Sequence, residues 1–157
     1  MSQLVNLQNA IVTRLSASDT VVPSLVPANG QVSWITENIG DLASNIAKAI
    51  GKIGIVGIVM TPGGGKMWKQ GPFWPIGFKC SVEVQIQENV VINRGASGTQ
   101  IASLALVEFV MARLHLFSPQ GHKADRLELN EVPYKLIADT PCLVYNVDLY
   151  APITIGK

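Results

Sequence analysis

The sequence predicts an α+β fold: a mainly antiparallel β-sheet with helices packed on one face and one long hairpin. Three observations predict it. Segments with three- and four-residue apolar spacing stand at the front and in the middle of the chain, and segments rich in β-branched or alternating residues stand between and after them. The glycine-rich stretch from Met60 to Pro75, MTPGGGKMWKQGPFWP, joins two of the strand-like segments directly. A chain of 157 residues is expected to form one domain, residues 1–157, that buries about two thirds of its unfolded surface without a staple or metal.

Ser2 is placed to cap a first helix in which Leu4, Leu7, Ile11 and Leu15 form one buried stripe. From Ser16 to Ser33 the chain is polar and holds Pro23, Pro27 and an Asn29-Gly30 pair, so a long loop is expected, with at most a short extended piece at Val21 and Val22. A second helix is expected from about Thr36 to Ile50, with Ile39, Leu42, Ile46 and Ile50 on one face and Gly51 ending it in the left-handed conformation. Residues 52–60, KIGIVGIVM, are β-branched on both faces, which suits a central strand covered on both sides.

Residues 79–87, KCSVEVQIQ, alternate. Cys80, Val82, Val84 and Ile86 point to a core, while Ser81, Glu83, Gln85 and Gln87 point to water or an interface. Residues 61–76, between these strands, then read as an extended hairpin loop. After the loop NRGASGT, a helix is expected with Thr99 as N-cap and Ser118-Pro119 closing it. Ile101, Leu104, Val107, Met111 and Leu114 make one stripe of it, and Leu106, Phe109 and Val110 fill much of the opposite side, leaving water a narrow face. A short strand near Leu127 to Leu129 and a last alternating strand over residues 143–150, ending at Pro152, complete the order.

Composition bounds the function. Hydrophobic residues make up 48% of the chain and charged ones 15%, against about 25% charged in a typical soluble domain, so part of the surface is expected to meet another protein. A net charge of +1 gives little field to draw in nucleic acid or an anionic membrane. No apolar run approaches the roughly 20 residues that span a bilayer, and the start, MSQLVNLQNA, lacks the pattern of a secretion signal. Cys80 and Cys142 have no companion ligand spacing, so they read as buried thiols suited to a reducing cytoplasm and not as a zinc site.

Lys66 follows three glycines, as in a phosphate-binding loop. Met60, however, stands where such a loop needs its first glycine, and Met67 where it needs a hydroxyl for magnesium. The residues KMWKQGPFWP hold two prolines and a glycine and cannot open the helix whose amides would meet the anion. No cofactor or metal is expected. His115 and His122 lack metal-pair spacing, and Asp125, Glu128 and Glu131 stand with Lys123 and Arg126 as a solvated cluster. Glu83 and Asp148 share an outer sheet face with Gln85, Gln87 and Asn146, but no nucleophile accompanies them, so no enzyme is expected.

What remains is aromatic and apolar surface. Trp68, Phe73 and Trp74, flanked by Lys66 and Lys69, either fold back over the base of the loop or anchor a neighbouring subunit or partner. With Glu83 and Gln85 on the outer face and Phe109 on the apolar helix, they are the candidate interface residues. A helix apolar most of the way round needs cover on more than one side, and copies joined head-to-tail into a closed ring can supply it.

The order of a leading helix, the strand GIVGIVM, a long hairpin, the strand CSVEVQIQ, a long helix and the strand LVYNVDLYAPI resembles that of the tail-terminator (tail-completion) proteins of tailed bacteriophages. The likeness covers residues 1–152 as a pattern of elements. It implies a structural virion protein of the tail or neck, assembled in the host cytoplasm, that forms a ring, a hexamer in that family. Such a ring caps the tail tube, ends its polymerisation and joins tail to head. The partners implied are further copies of the chain, the tail tube protein and a head-completion or neck protein, with nucleic acid only passing through the lumen and no membrane. Residues 61–76 would match the family's hairpin, which faces neighbouring subunits or the tube. The loop and extra helix of residues 16–51 depart from the pattern, which keeps open another neck or head-tail connector ring. The readings outside this family are a small-molecule-binding module using the glycine-rich loop and a nucleic-acid contact at the portal exit.

Overall fold

The computed structural model describes residues 2–17, 32–69, 76–121 and 125–155. Its elements are α1 (Gln3–Ser16), β1 (Ser33–Thr36), α2 (Leu42–Ile53), β2 (Ile55–Met60), β3 (Gly64–Lys69), β4 (Ile76–Glu88), α3 (Val90–Asn93), α4 (Ser103–Leu114), β5 (Glu128–Ala138) and β6 (Leu143–Ile155). The strands form one sheet in the order β1-β2-β4-β6-β5, with β3 also on β4. Only β1 and β2 run parallel. The class is therefore the α+β one that the sequence predicts, with a β1-α2-β2 crossover at one edge.

The unbroken alternation of β4 organises the sheet. Its buried Cys80, Val82, Val84 and Ile86 lie level with Ala151, Leu149, Val147 and Tyr145 of β6, so the two strands present one continuous apolar face. α4 packs on β4 and β6, and α1 on β1, β2, β6 and α4. Leu7, Ile11 and Leu15 from α1 meet Leu106, Phe109 and Leu114 from α4 in the same core, each contributing about 1.5–3 kcal/mol by burial. β2 is buried on both faces, as its sequence predicts. Gly57 in its middle makes room for a ring: a Cβ there would lie 2.2 Å from Trp34, which stacks on Phe109 with centroids 6.2 Å apart.

Several boundaries differ from expectation for identifiable reasons. Thr36 ends β1, a strand that the helical spacing of Ile39 onwards conceals, and α2 starts only at Leu42, where the Asp41 carboxylate accepts from Ser44 N at 3.1 Å. The helix continues through Gly51 to Gly54, whose φ of +80° ends it. α4 starts at Ser103 and not at Thr99, which is engaged by Asn93. It stops at Leu114, well before Ser118-Pro119: Leu116 turns left-handed at φ +62°, and its N–H and that of Leu127 bridge the exit segment to the approach to β5. β5 is far longer than Leu127 to Leu129, because a bulge around Pro133 interrupts the alternation without ending the strand. β6 passes through Pro152, which lies beyond Tyr150, the last partner on β5, where only β4 flanks it. The extended piece read at Val21 and Val22 lies outside the described residues.

The cover of α4 needs a further correction. Leu106, Val107, Phe109, Val110, Arg113 and Leu114 are all buried within one copy of the chain, and the exposed positions are Leu104, Glu108 and Ala112, a single stripe at four-residue spacing. The sheet and α1 sheathe this helix without help from a second subunit.

Candidate assembly surfaces

Two surfaces carry the sequence-derived candidates, and a third lies outside them. The first is the hairpin. β2 and β3 follow one another along β4, β2 opposite Glu83–Glu88 and β3 opposite Gly77–Cys80, with the break at Thr61–Gly63 and register shifts within β3. Lys66, Trp68 and Lys69 belong to β3, while Phe73 and Trp74 lie outside the described residues. The hairpin is thus a prolongation of the sheet past the end of β2.

Its base is pinned by residues that periodicity does not single out. The Glu37 Oε1 atom accepts from Thr61 N at 2.9 Å, Thr61 Oγ1 at 3.0 Å and Gln8 Nε2 at 2.6 Å. Gln8 is buried on α1, also donates to Thr61 Oγ1 at 2.8 Å, and accepts from Asn38. A glutamine between Leu7 and Ile11 on a buried stripe is the sequence signal for this node, since a buried amide demands partners. The neighbouring Cys80 thiol is pushed up from its ordinary value, first by burial and then by the Glu37 carboxylate. Both effects favour the protonated thiol over the thiolate.

The second surface is the outer face of β4. Glu83 Oε2 accepts from Asn146 Nδ2 at 2.7 Å, Gln85 Nε2 donates to Asn146 Oδ1 at 3.4 Å, and Gln87 Nε2 donates to Gln85 Oε1 at 2.7 Å. On the same face Lys135 of β5 pairs with Asp148 of β6 at 3.3 Å. The chain of amides ties the strands side to side and leaves Glu83 and Gln85 half-buried. The structure therefore brings Glu83, Gln85, Asn146 and Asp148 together, as the alternation predicts.

Phe109 does not belong with them. At 2% exposure, under Arg113 and beside Trp34, it is core and has no surface to present.

A third surface is absent from the sequence-derived candidates. β5 ends the sheet. Within and past its bulge, Val132 (64% exposed), Tyr134 (42%), Leu136 (49%) and Ile137 (50%) stand in the open. Tyr134 and Leu136 lie opposite Val147 and Tyr145, on the helix-bearing face of the sheet. An apolar edge strand of this kind invites pairing, and Pro133 and Lys135 are the sort of residue that limits it.

Among the described residues, no three His, Cys, Asp or Glu side chains are grouped to hold a metal ion, and no helix is long and apolar enough to cross a membrane. No protein-family model matches the chain, and no curated protein sequence matches it. Among solved structures it is similar to a chain of the virion of a native gene transfer agent (GTA) particle, with a TM-score of 0.55 and 14% identity, over 99% of this chain and 100% of that one. At that identity the likeness is one of fold, and it spans the whole length of both chains.

Proposed function

We propose that this chain is a structural virion protein that assembles with its own copies into a hexameric ring, and that the ring caps the tail tube, ends its growth and joins tail to head. The observation that carries the reading is the end-to-end fold likeness to a chain of a GTA virion, in line with the tail-terminator resemblance of the element order. The action is steric. A ring seated on the last tube layer occupies the surface to which the next layer would add, and its other face meets the neck. The β3–β4 hairpin, with Lys66, Trp68, Lys69, Phe73 and Trp74, reaches the tube or the adjacent subunit, because paired backbone and aromatic anchors both serve such contacts. The amide-rich outer face of β4, with Glu83 and Gln85, is the polar companion surface.

The test is Trp68→Ala with Trp74→Ala, followed by electron microscopy of the particles. Tails of irregular length without heads are the expected result. Tails of normal length that fail to join heads would instead favour a neck ring, and normal joined particles would remove the hairpin from assembly.

A further inference from the structure

We infer that the exposed edge of β5 in one copy docks into the groove between α2 and β1 of the next, so that the ring contact is head-to-tail; this rests on the ring reading above. α2 is amphipathic, yet none of its residues is buried. Beside it lies an open groove of about 550 Å³, floored by Val32, Ala49 and Ile53 and rimmed by Lys48 and Lys52. The β5 edge offers the complement: Val132, Leu136 and Ile137 are exposed between two carboxylates, Glu131 and Asp139. None of these four charged side chains has an ion-pair partner among the described residues.

Position decides the symmetry. β1 and β5 are the two ends of the sheet order, so the ridge and the groove of one copy lie at opposite edges and cannot meet each other. A two-fold pairing of β5 with β5 would leave the groove empty and set Glu131 and Asp139 against their own kind. A heterologous contact satisfies both surfaces, brings opposite charges together, and repeats around a ring when its rotation closes.

Two measurements test this, with light scattering of the unmodified chain as reference. In a Cys142→Ser background, Ile137→Cys together with Ala49→Cys is oxidised and run on a non-reducing gel. A ladder ending at the ring number is expected, with neither single cysteine giving it. Separately, Lys48→Glu with Lys52→Glu should weaken assembly about ten-fold or more, and adding Glu131→Lys with Asp139→Lys should restore it. A ring that forms without the ladder and is indifferent to the charge reversal overturns this docking but leaves the ring reading intact, with the groove free for another occupant such as the tube. A chain that is monomeric at its highest soluble concentration overturns both.

Discussion

Glu88 stands fully buried at the end of β4, and three donors converge on its carboxylate: Asn93 Nδ2 at 2.8 Å, Ser103 N at 2.9 Å and Arg94 Nε at 3.1 Å. Ser103 opens α4, whose own N-cap, Ala102, has no side chain able to cap it. A carboxylate from the end of the preceding strand therefore satisfies the helix's free amide and its positive end. Burial raises the Glu88 carboxyl, but the hydrogen bonds from Asn93, Ser103 and Arg94 outweigh it and hold the group below its ordinary value. A depressed folded-state value gives stability that is complete above the unfolded value of about 4.3 and is lost as pH falls through the folded one. Glu88→Gln is expected to cost about 1–3 kcal/mol at neutral pH, and its gap from the unmodified chain should shrink in acid. Urea unfolding at neutral pH and below pH 4 measures both; parallel losses would contradict the assignment. Gly57 makes a second residue-level claim. Gly57→Ala pushes a methyl into the Trp34 ring stacked on Phe109, and overpacking of this kind costs about 1–3 kcal/mol. Thermal melts should show the loss, and Trp34 fluorescence should shift with it. Glycine inside a β-branched run is a legible sign of close approach, whereas the donors around Glu88 are turned back onto it by the irregular segment between β4 and α4, which follows no period.

At the scale of elements, what was legible followed from period. β4 and β6 alternate cleanly and α1 keeps its stripe, so each is found where the sequence places it, though both strands run past the predicted ends. α2 and β1 are harder because Ile39 sits in helical phase with Leu42 and Ile46 by coincidence of spacing, and the cap at Asp41 is the feature that sets the true start. β5 escapes for the opposite reason: its bulge breaks the period of two and both sides of its far half are exposed. The hairpin is legible as an element, but its anchoring is not, since Gln8, Glu37 and Thr61 come from three separate segments. That anchoring gives a prediction about β3. Glu37→Ala removes the acceptor of the Thr61 N–H and hydroxyl, at a cost of about 1–2 kcal/mol. Amide exchange should speed up in β3 and at Thr61 while β2, buried on both faces, stays protected. Uniform exchange across both strands would mean that the node does not fix the hairpin.

For the whole molecule, the low charge of the sequence raises the expectation of apolar surface that one copy leaves open, but does not say where it lies. α4 looks like the uncovered element because its apolar residues circle the helix, yet the sheet and α1 enclose all but a narrow stripe of it; the longest run of exposed apolar side chains is on the β5 edge, and α2, beside β1 at the other end of the sheet order, has no buried residue. Long-range packing decides which apolar residues are spared, and a pattern of spacing holds no information about that. The consequence is thermodynamic. If copies cover these edges, assembly is coupled to folding, and the melting temperature must rise with protein concentration, because association stabilises only the folded chain. For a chain of this size a hundred-fold increase in concentration is expected to raise the midpoint by on the order of 5 °C. The Glu131→Lys, Asp139→Lys variant, with its own Lys48 and Lys52 unchanged, meets like charge at the contact and should melt at one temperature whatever its concentration. Calorimetry over that range decides the matter: a midpoint independent of concentration in the unmodified chain would mean that its apolar edges stay open to water.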